Sequence, residues 1–187
     1  MDSMKKHPEI FFDLQSSVKI NKAQEKKLQQ WLMLAGLVMQ KVIKDPQFVD
    51  QKWLSSIQSV RISVLLCGEL KIKKLNTEHR QKNKVTDVLS FPSFMSLRQA
   101  PGQGEFLGEE LFLGDLAICH QKVNSQADEF KISYFDEFIH LLFHGVIHLV
   151  GYDHEISLKE EKIMEAWEEK ILKLFSTAKK REPKLPF

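Results

Sequence analysis

Three histidines within eleven residues constrain this chain more than any other stretch: His144-Gly145-Val146-Ile147-His148-Leu149-Val150-Gly151-Tyr152-Asp153-His154. His144 and His148 stand four apart in an apolar run, so a helix stacks them on one face. Gly151 then allows a sharp change of direction, which lets His154 swing back toward the same point. A helical pair of histidines is by itself compatible with two core residues. The third, placed after a glycine turn, points instead to three neutral imidazoles around one divalent transition metal, with zinc the default and nickel or cobalt tolerated. Three protein ligands leave a fourth position open, as in a catalytic rather than a closed structural site. His140 extends the stripe by one turn and is expected to pack or to support a ligand, not to bind the ion.

The spacing matches the metalloprotease pattern His-Glu-x-x-His-x-x-Gly-x-x-His except at the glutamate, where this chain has Gly145. In those enzymes the glutamate is the general base on water held by zinc, so ordinary peptidase chemistry lacks its partner here. Asp153 is open between two roles, an acceptor that fixes an imidazole or a turn residue.

At 187 residues, 43% hydrophobic and 28% charged, the sequence has single-domain length and enough apolar content for a folded core. The formal net charge of +2 is too small to argue for nucleic-acid binding, but its distribution is uneven. Lys71, Lys73, Lys74, Arg80, Lys82 and Lys84 crowd residues 68–86, whereas Glu155, Glu160, Glu161, Glu165, Glu168 and Glu169 dominate residues 155–170. A positive strip facing a negative one can steer a polyanion to one surface; two solvated helix faces are the plainer reading. Cys67 and Cys119 lie in separate apolar runs without a Cys-x-x-Cys, which predicts buried free thiols in a reducing compartment. Pro8, Glu9 and Asp13 interrupt any secretory apolar region, and the Trp31–Val38 run is too short to cross a bilayer. A cytoplasmic protein with no membrane partner is expected.

A short strand is predicted near Ile10–Leu14. An Asn21/Gln24 capping box then opens a helix that ends at Asp45-Pro46. Phe48–Ile57 reads as a brief helix or an irregular connection, and Arg61–Cys67 as a buried strand ended by Gly68. A shorter helix is expected from Glu69 to about His79, and a strand over Val88–Phe94 that Pro92 confines to an edge or a bend. Residues 95–108 read as a loop. Leu111–Cys119 resumes strand character, and helices are expected over Tyr134–Leu149 and Ile156–Phe175. Strands interleaved with helices indicate an α/β or α+β domain. One domain is expected over residues 1–176, followed by a flexible basic tail over 177–187.

Beyond the histidines, two further blocks point the same way. The stretch His144-Gly145-x-x-His148-Leu149-x-Gly151-Tyr152-Asp153-His154 resembles the signature of the YbeY family of bacterial metal-dependent endoribonucleases. Leu75-Asn76-x-x-His79-Arg80-x-x-Asn83-x-x-Thr86-Asp87-Val88-Leu89-Ser90-Phe91-Pro92 and Leu113-Gly114-Asp115-Leu116 are similar to its other blocks, in the same order, from about Arg61 to Lys170. The resemblance implies a compact α+β domain, a mixed sheet packed against several helices, with the metal site on a long helix and its following turn. It implies metal ligation by His144, His148 and His154, a catalytic role for Arg80 in a positively lined cleft, and action in ribosomal RNA maturation. His79, Asn83, Val85 and Cys119 depart from the usual tyrosine, aspartate, proline and serine.

The resemblance implies cleavage of single-stranded RNA, at the small-subunit 3′ end and in ribosome quality control, with the small subunit or assembly factors as partners. Arg80 would pair with a phosphate, and Lys71, Lys74, Lys82 and Lys84 would hold neighbouring phosphates if they face the same groove. The base stays open among ion-activated water, the ribose 2′-hydroxyl as nucleophile and another side chain. Two rivals are a non-catalytic ribosome-associated RNA-binding factor with a structural metal, and a metallohydrolase on another substrate.

Overall fold

The computed structural model of the chain describes residues 8–54, 57–94, 96–99 and 108–181. Within them, strands β1 (Glu9–Ser16), β2 (Ser59–Cys67), β3 (Val88–Pro92) and β4 (Glu110–Cys119) form one sheet in the order β1-β2-β4-β3. β1, β2 and β4 are parallel and β3 is antiparallel to β4, so the sheet is mixed and the fold α+β. The helices are α1 (Lys22–Val42), α2 (Glu69–Arg80), α3 (His120–Phe130), α4 (Tyr134–Val150) and α5 (Leu158–Arg181).

Local chemistry explains the boundaries. The Asn21 side chain accepts from the Gln24 N–H at 2.9 Å while the Gln24 side chain accepts from the Asn21 N–H at 3.1 Å, the reciprocal cap expected for α1. Pro92 ends β3, an edge strand, where a missing ladder N–H is tolerated. In β4, Arg61 and Ile62 of β2 face Phe112 and Gly114, which leaves Leu113 as an extra residue in a bulge. Gly114 makes this possible with φ of 146° and no Cβ to strike the Phe91 carbonyl.

Most of the core lies on one sheet face, where Val60, Ile62, Val64 and Leu66 of β2 and Leu111, Leu116 and Ile118 of β4 meet α1, α4 and α5. A smaller cluster of Cys67, Ile72, Leu89, Ala117 and Cys119 packs under α2 on the other. Both thiols are free and buried as expected, and burial pushes the Cys67 thiol up to about 11, a protonated and unreactive state. Helix α4 is the centre of the large core. From Glu137 to Val150 every residue is buried except His140, His144 and His148, one partly exposed stripe with a spacing of four.

Two elements differ from the sequence expectation. Helix α3 was not foreseen, because it buries only Val123 and Ala127 and otherwise reads as polar connection. Helix α5 continues to Arg181, so residues 177–181 of the expected tail are helical; residues 182–187 lie outside the described residues. Phe48–Leu54 forms turns, in line with the irregular connection that was one of the two readings of that stretch. Of the expected loop over 95–108, residues 95 and 100–107 lie outside the described residues, while Leu97 is buried and fixed to α4 by its N–H on the Val150 carbonyl at 2.8 Å.

Candidate metal centre

Helix α4 ends in a reversal that brings His154 back over His144 and His148. Gly151 takes φ of 107°, and its N–H bonds the His148 carbonyl at 2.9 Å while the next N–H, of Tyr152, bonds the Ile147 carbonyl at 3.2 Å. A Cβ on Gly151 would meet the Ser96 Oγ at 2.5 Å and the Ser96 Cα at 2.9 Å. Tyr152 anchors the turn: its single hydroxyl proton is shared between the carbonyls of Gln47, at 2.9 Å, and Phe48, at 3.1 Å. The Phe48 ring stacks on it at 5.6 Å, and the Arg98 guanidinium, paired with Glu160, lies over its ring at 4.2 Å. Asp153 accepts from the Glu155 N–H at 2.9 Å, which decides its open role in favour of the turn.

The three ring systems converge. One ligand atom from each of His144, His148 and His154 lies within 4.8 Å of the others, the sole such group among the described residues. The far side of two rings is already committed. His144 Nδ1 donates to Glu168 Oε1 on α5 at 2.5 Å, and His148 Nδ1 donates to the Tyr152 carbonyl at 2.9 Å. With Nδ1 carrying the proton on both, the Nε2 atoms present lone pairs to each other, 3.1 Å apart. Two facing lone pairs repel unless a cation lies between them. Two nitrogens on a tetrahedral zinc ion stand roughly 3.3 Å apart, so the donor set fits such an ion. Burial, reinforced by His144, pushes the His148 imidazole down to about 4, which keeps it neutral and able to ligate.

Gly145 is fixed by packing. A Cβ there would lie 2.7 Å from Leu116 Cδ2 and 3.3 Å from Ser90 Oγ, so this position of α4 presses on the sheet and a side chain here would have to displace the end of Leu116. The peptidase base is absent from the sequence at this position, and the close packing against β4 suits the glycine.

Arg80 sits in the last turn of α2, exposed and without an ion pair or hydrogen bond among the described residues. Gln81 then takes a left-handed φ of 57° and turns the chain toward β3. Two residues after Arg80, Lys82 pairs with Glu155 at 3.8 Å, which joins the basic segment to the residue after His154. The positive and negative strips thus meet at the metal turn. Lys74 pairs with Glu78 within α2, and Lys71 lines a separate 390 Å³ cleft with His79, Phe91 and Asp115. Of the four lysines, Lys74 and Lys82 are thus held in ion pairs and Lys71 lines this cleft. His79 lies edge-on to Phe91 at 5.0 Å.

Sequence reasoning missed Glu168, which sat in an acidic run taken for a solvated face, and missed the pairing of His140 with Glu137. A profile of the family described as Endoribonuclease YbeY matches residues 13–176. The chain belongs to the YbeY family. An endoribonuclease YbeY of Thermodesulfovibrio yellowstonii is 43% identical over 111 residues, 59% of this chain and 64% of that protein. One from Aquifex aeolicus is 35% identical over 158 residues, 81% of this chain and 97% of the relative. The first match spans just under two thirds of the relative's length and the second nearly all of it. The solution structure of TM1509 from Thermotoga maritima superposes with a TM-score of 0.50 at 25% identity, covering 93% of both chains. The family match and the three converging imidazoles agree on a divalent-metal site at the end of α4. No helix of the described residues is long and apolar enough to cross a membrane.

Proposed function

We propose that this protein is a metal-dependent endoribonuclease acting in the maturation of ribosomal RNA, with single-stranded RNA at the small-subunit 3′ end as substrate and the cytoplasm as its place of action. The observation that carries the reading is the pair of Nε2 lone pairs, 3.1 Å apart and each fixed by a bond at Nδ1, in a chain of the YbeY family. His144, His148 and His154 would hold the ion, and three imidazoles favour zinc while tolerating nickel and cobalt. Such an ion supplies Lewis acidity, which polarises a phosphoryl oxygen and acidifies water.

The chain's own residues supply position and charge. Glu168 and the Tyr152 carbonyl set the tautomer and aim of two ligands. Arg80, exposed and with no competing carboxylate among the described residues, is free to take a phosphate in a two-point contact and to stabilise the charge that develops on it. Lysine does not reproduce that planar fork. A peptide substrate is disfavoured, because Gly145 leaves no side chain to act as base.

The test is cleavage of an end-labelled RNA spanning an immature small-subunit 3′ end by metal-loaded protein and by His144→Ala purified identically. Cuts that need both the ion and His144 support the reading. Binding without cuts, from folded and loaded protein, favours a non-catalytic RNA-binding factor instead.

A further inference from the structure

One cluster beside the metal centre has no part in holding the ion. His140 is one helical turn before His144 on the same partly exposed stripe of α4, roughly 6 Å along the axis. Its Nδ1 is 3.4 Å from Glu137 Oε2, and the exposures of the pair are opposite: 38% for the His140 side chain and 1% for Glu137. Glu137 Oε1 is buried with no hydrogen-bond partner among the described residues, a costly arrangement for a carboxylate in a helix whose other buried positions are all apolar. Core packing does not account for an acid at this position. A carboxylate behind an imidazole whose other nitrogen faces outward has a direct chemical use: it fixes the ring and stabilises its protonated form.

We propose that His140 is the proton donor to the oxygen that leaves phosphorus when RNA is cut, with Glu137 as its positioning residue. This rests on the endoribonuclease reading and fills the acid–base role that Gly145 cannot. As the nucleophile's oxygen, from water or a ribose 2′-hydroxyl, bonds to phosphorus, the bond from phosphorus to the leaving ribose oxygen breaks and its electron pair stays on that oxygen. The proton on His140 Nε2 moves to it, the nucleophile's own proton passes to solvent, and neutral His140 is reprotonated from solvent. The groups facing His140 are acidic from each side: Glu137 on α4, Glu168 on α5, and Asp87 in the segment before β3. The Glu137 bond, opposed by burial, holds the ring above its ordinary value of 6.5, in keeping with a donor that is charged near neutrality. Asp87 is itself kept ionised: burial works against it, but bonds from Gln126, the Val88 N–H and Thr86 outweigh that and hold it low.

The experiment compares the metal-loaded protein with His140→Asn and Glu137→Gln on two oligoribonucleotides. One is ordinary. The other has sulfur in place of the leaving oxygen, at the bridging position fixed by the end groups of the ordinary products, because a thiolate departs without a proton. Metal content and folding of each variant are measured alongside. His140→Asn is expected to slow the ordinary cut by about 10²–10⁴-fold and to abolish the fall in rate at alkaline pH, while the sulfur substrate is cut at close to the wild-type rate. Glu137→Gln is expected to move that alkaline fall to lower pH, since the imidazolium loses its carboxylate. Equal slowing on both substrates, or an alkaline fall that survives His140→Asn, overturns the proposal and leaves the endoribonuclease reading standing. A loaded wild-type protein that cuts neither RNA overturns both.

Discussion

The partner of His144 is the residue on which the centre's electrostatics turn. Glu168 bonds Nδ1 at 2.5 Å from a half-buried position, 18% exposed against 25% for His144. Glu168→Gln should keep the fold and lower metal affinity about 10–100-fold, measured by competition with a chelator, because the neutral amide no longer raises the basicity of the ring. His148 predicts a pH dependence of stability in the metal-free protein. Its folded value of about 4 lies below the ordinary 6.5, so the unfolded chain takes up the proton first as pH falls. This contribution is fully present above about 6.5 and is lost between there and about 4, whereas His140, shifted upward, contributes in the opposite sense and is lost as pH rises through its folded value. Denaturant titrations of wild type and His148→Gln across that range should converge at the acid end if the assignment is right.

At the scale of an element, the reversal after α4 does for His154 what the helix does for the other two ligands. Gly151→Ala places a Cβ on the Ser96 backbone at a φ of 107°, so it should cost about 1–3 kcal/mol in thermal or chemical denaturation. It should also weaken metal binding while His144 and His148 keep their positions on α4. If metal affinity is unchanged, His154 contributes little to holding the ion. The helix was legible in the sequence because its apolar period and glycine stop are local signals. Helix α3 was not, since two buried positions, Val123 and Ala127, are too few to set a period against the nine other residues of the helix. The extension of α5 to Arg181 was missed for a related reason: its last turn offers one partly buried apolar residue, Ala178, and Lys179, Lys180 and Arg181 read as a solvated tail, although Lys179 pairs with Asp136 and lies over the Trp31 ring.

For the whole molecule, the arrangement of charge matters more than its sum. A net charge of +2 gives no general attraction to RNA, so affinity must come from the few cations near the metal turn. If Arg80 engages one phosphate of a single strand, Arg80→Ala should reduce the slope of log K against log salt by about 0.7, read by titrating a non-cleavable oligonucleotide at several salt concentrations. An unchanged slope would place Arg80 away from the strand. The metal ligands themselves were open to sequence reasoning because all three lie within eleven residues and their convergence follows from helix pitch and one glycine. What surrounds them was decided only by tertiary packing. Glu168 is 24 residues from His144 and reaches it because α5 lies against α4; Lys82 reaches Glu155 from another element; and Gly145 lies close against the end of Leu116 of β4. Local periodicity determines which side chains share a helix face, but the proton a ring carries, the charge beside it and the room next to it belong to groups that only folding brings near.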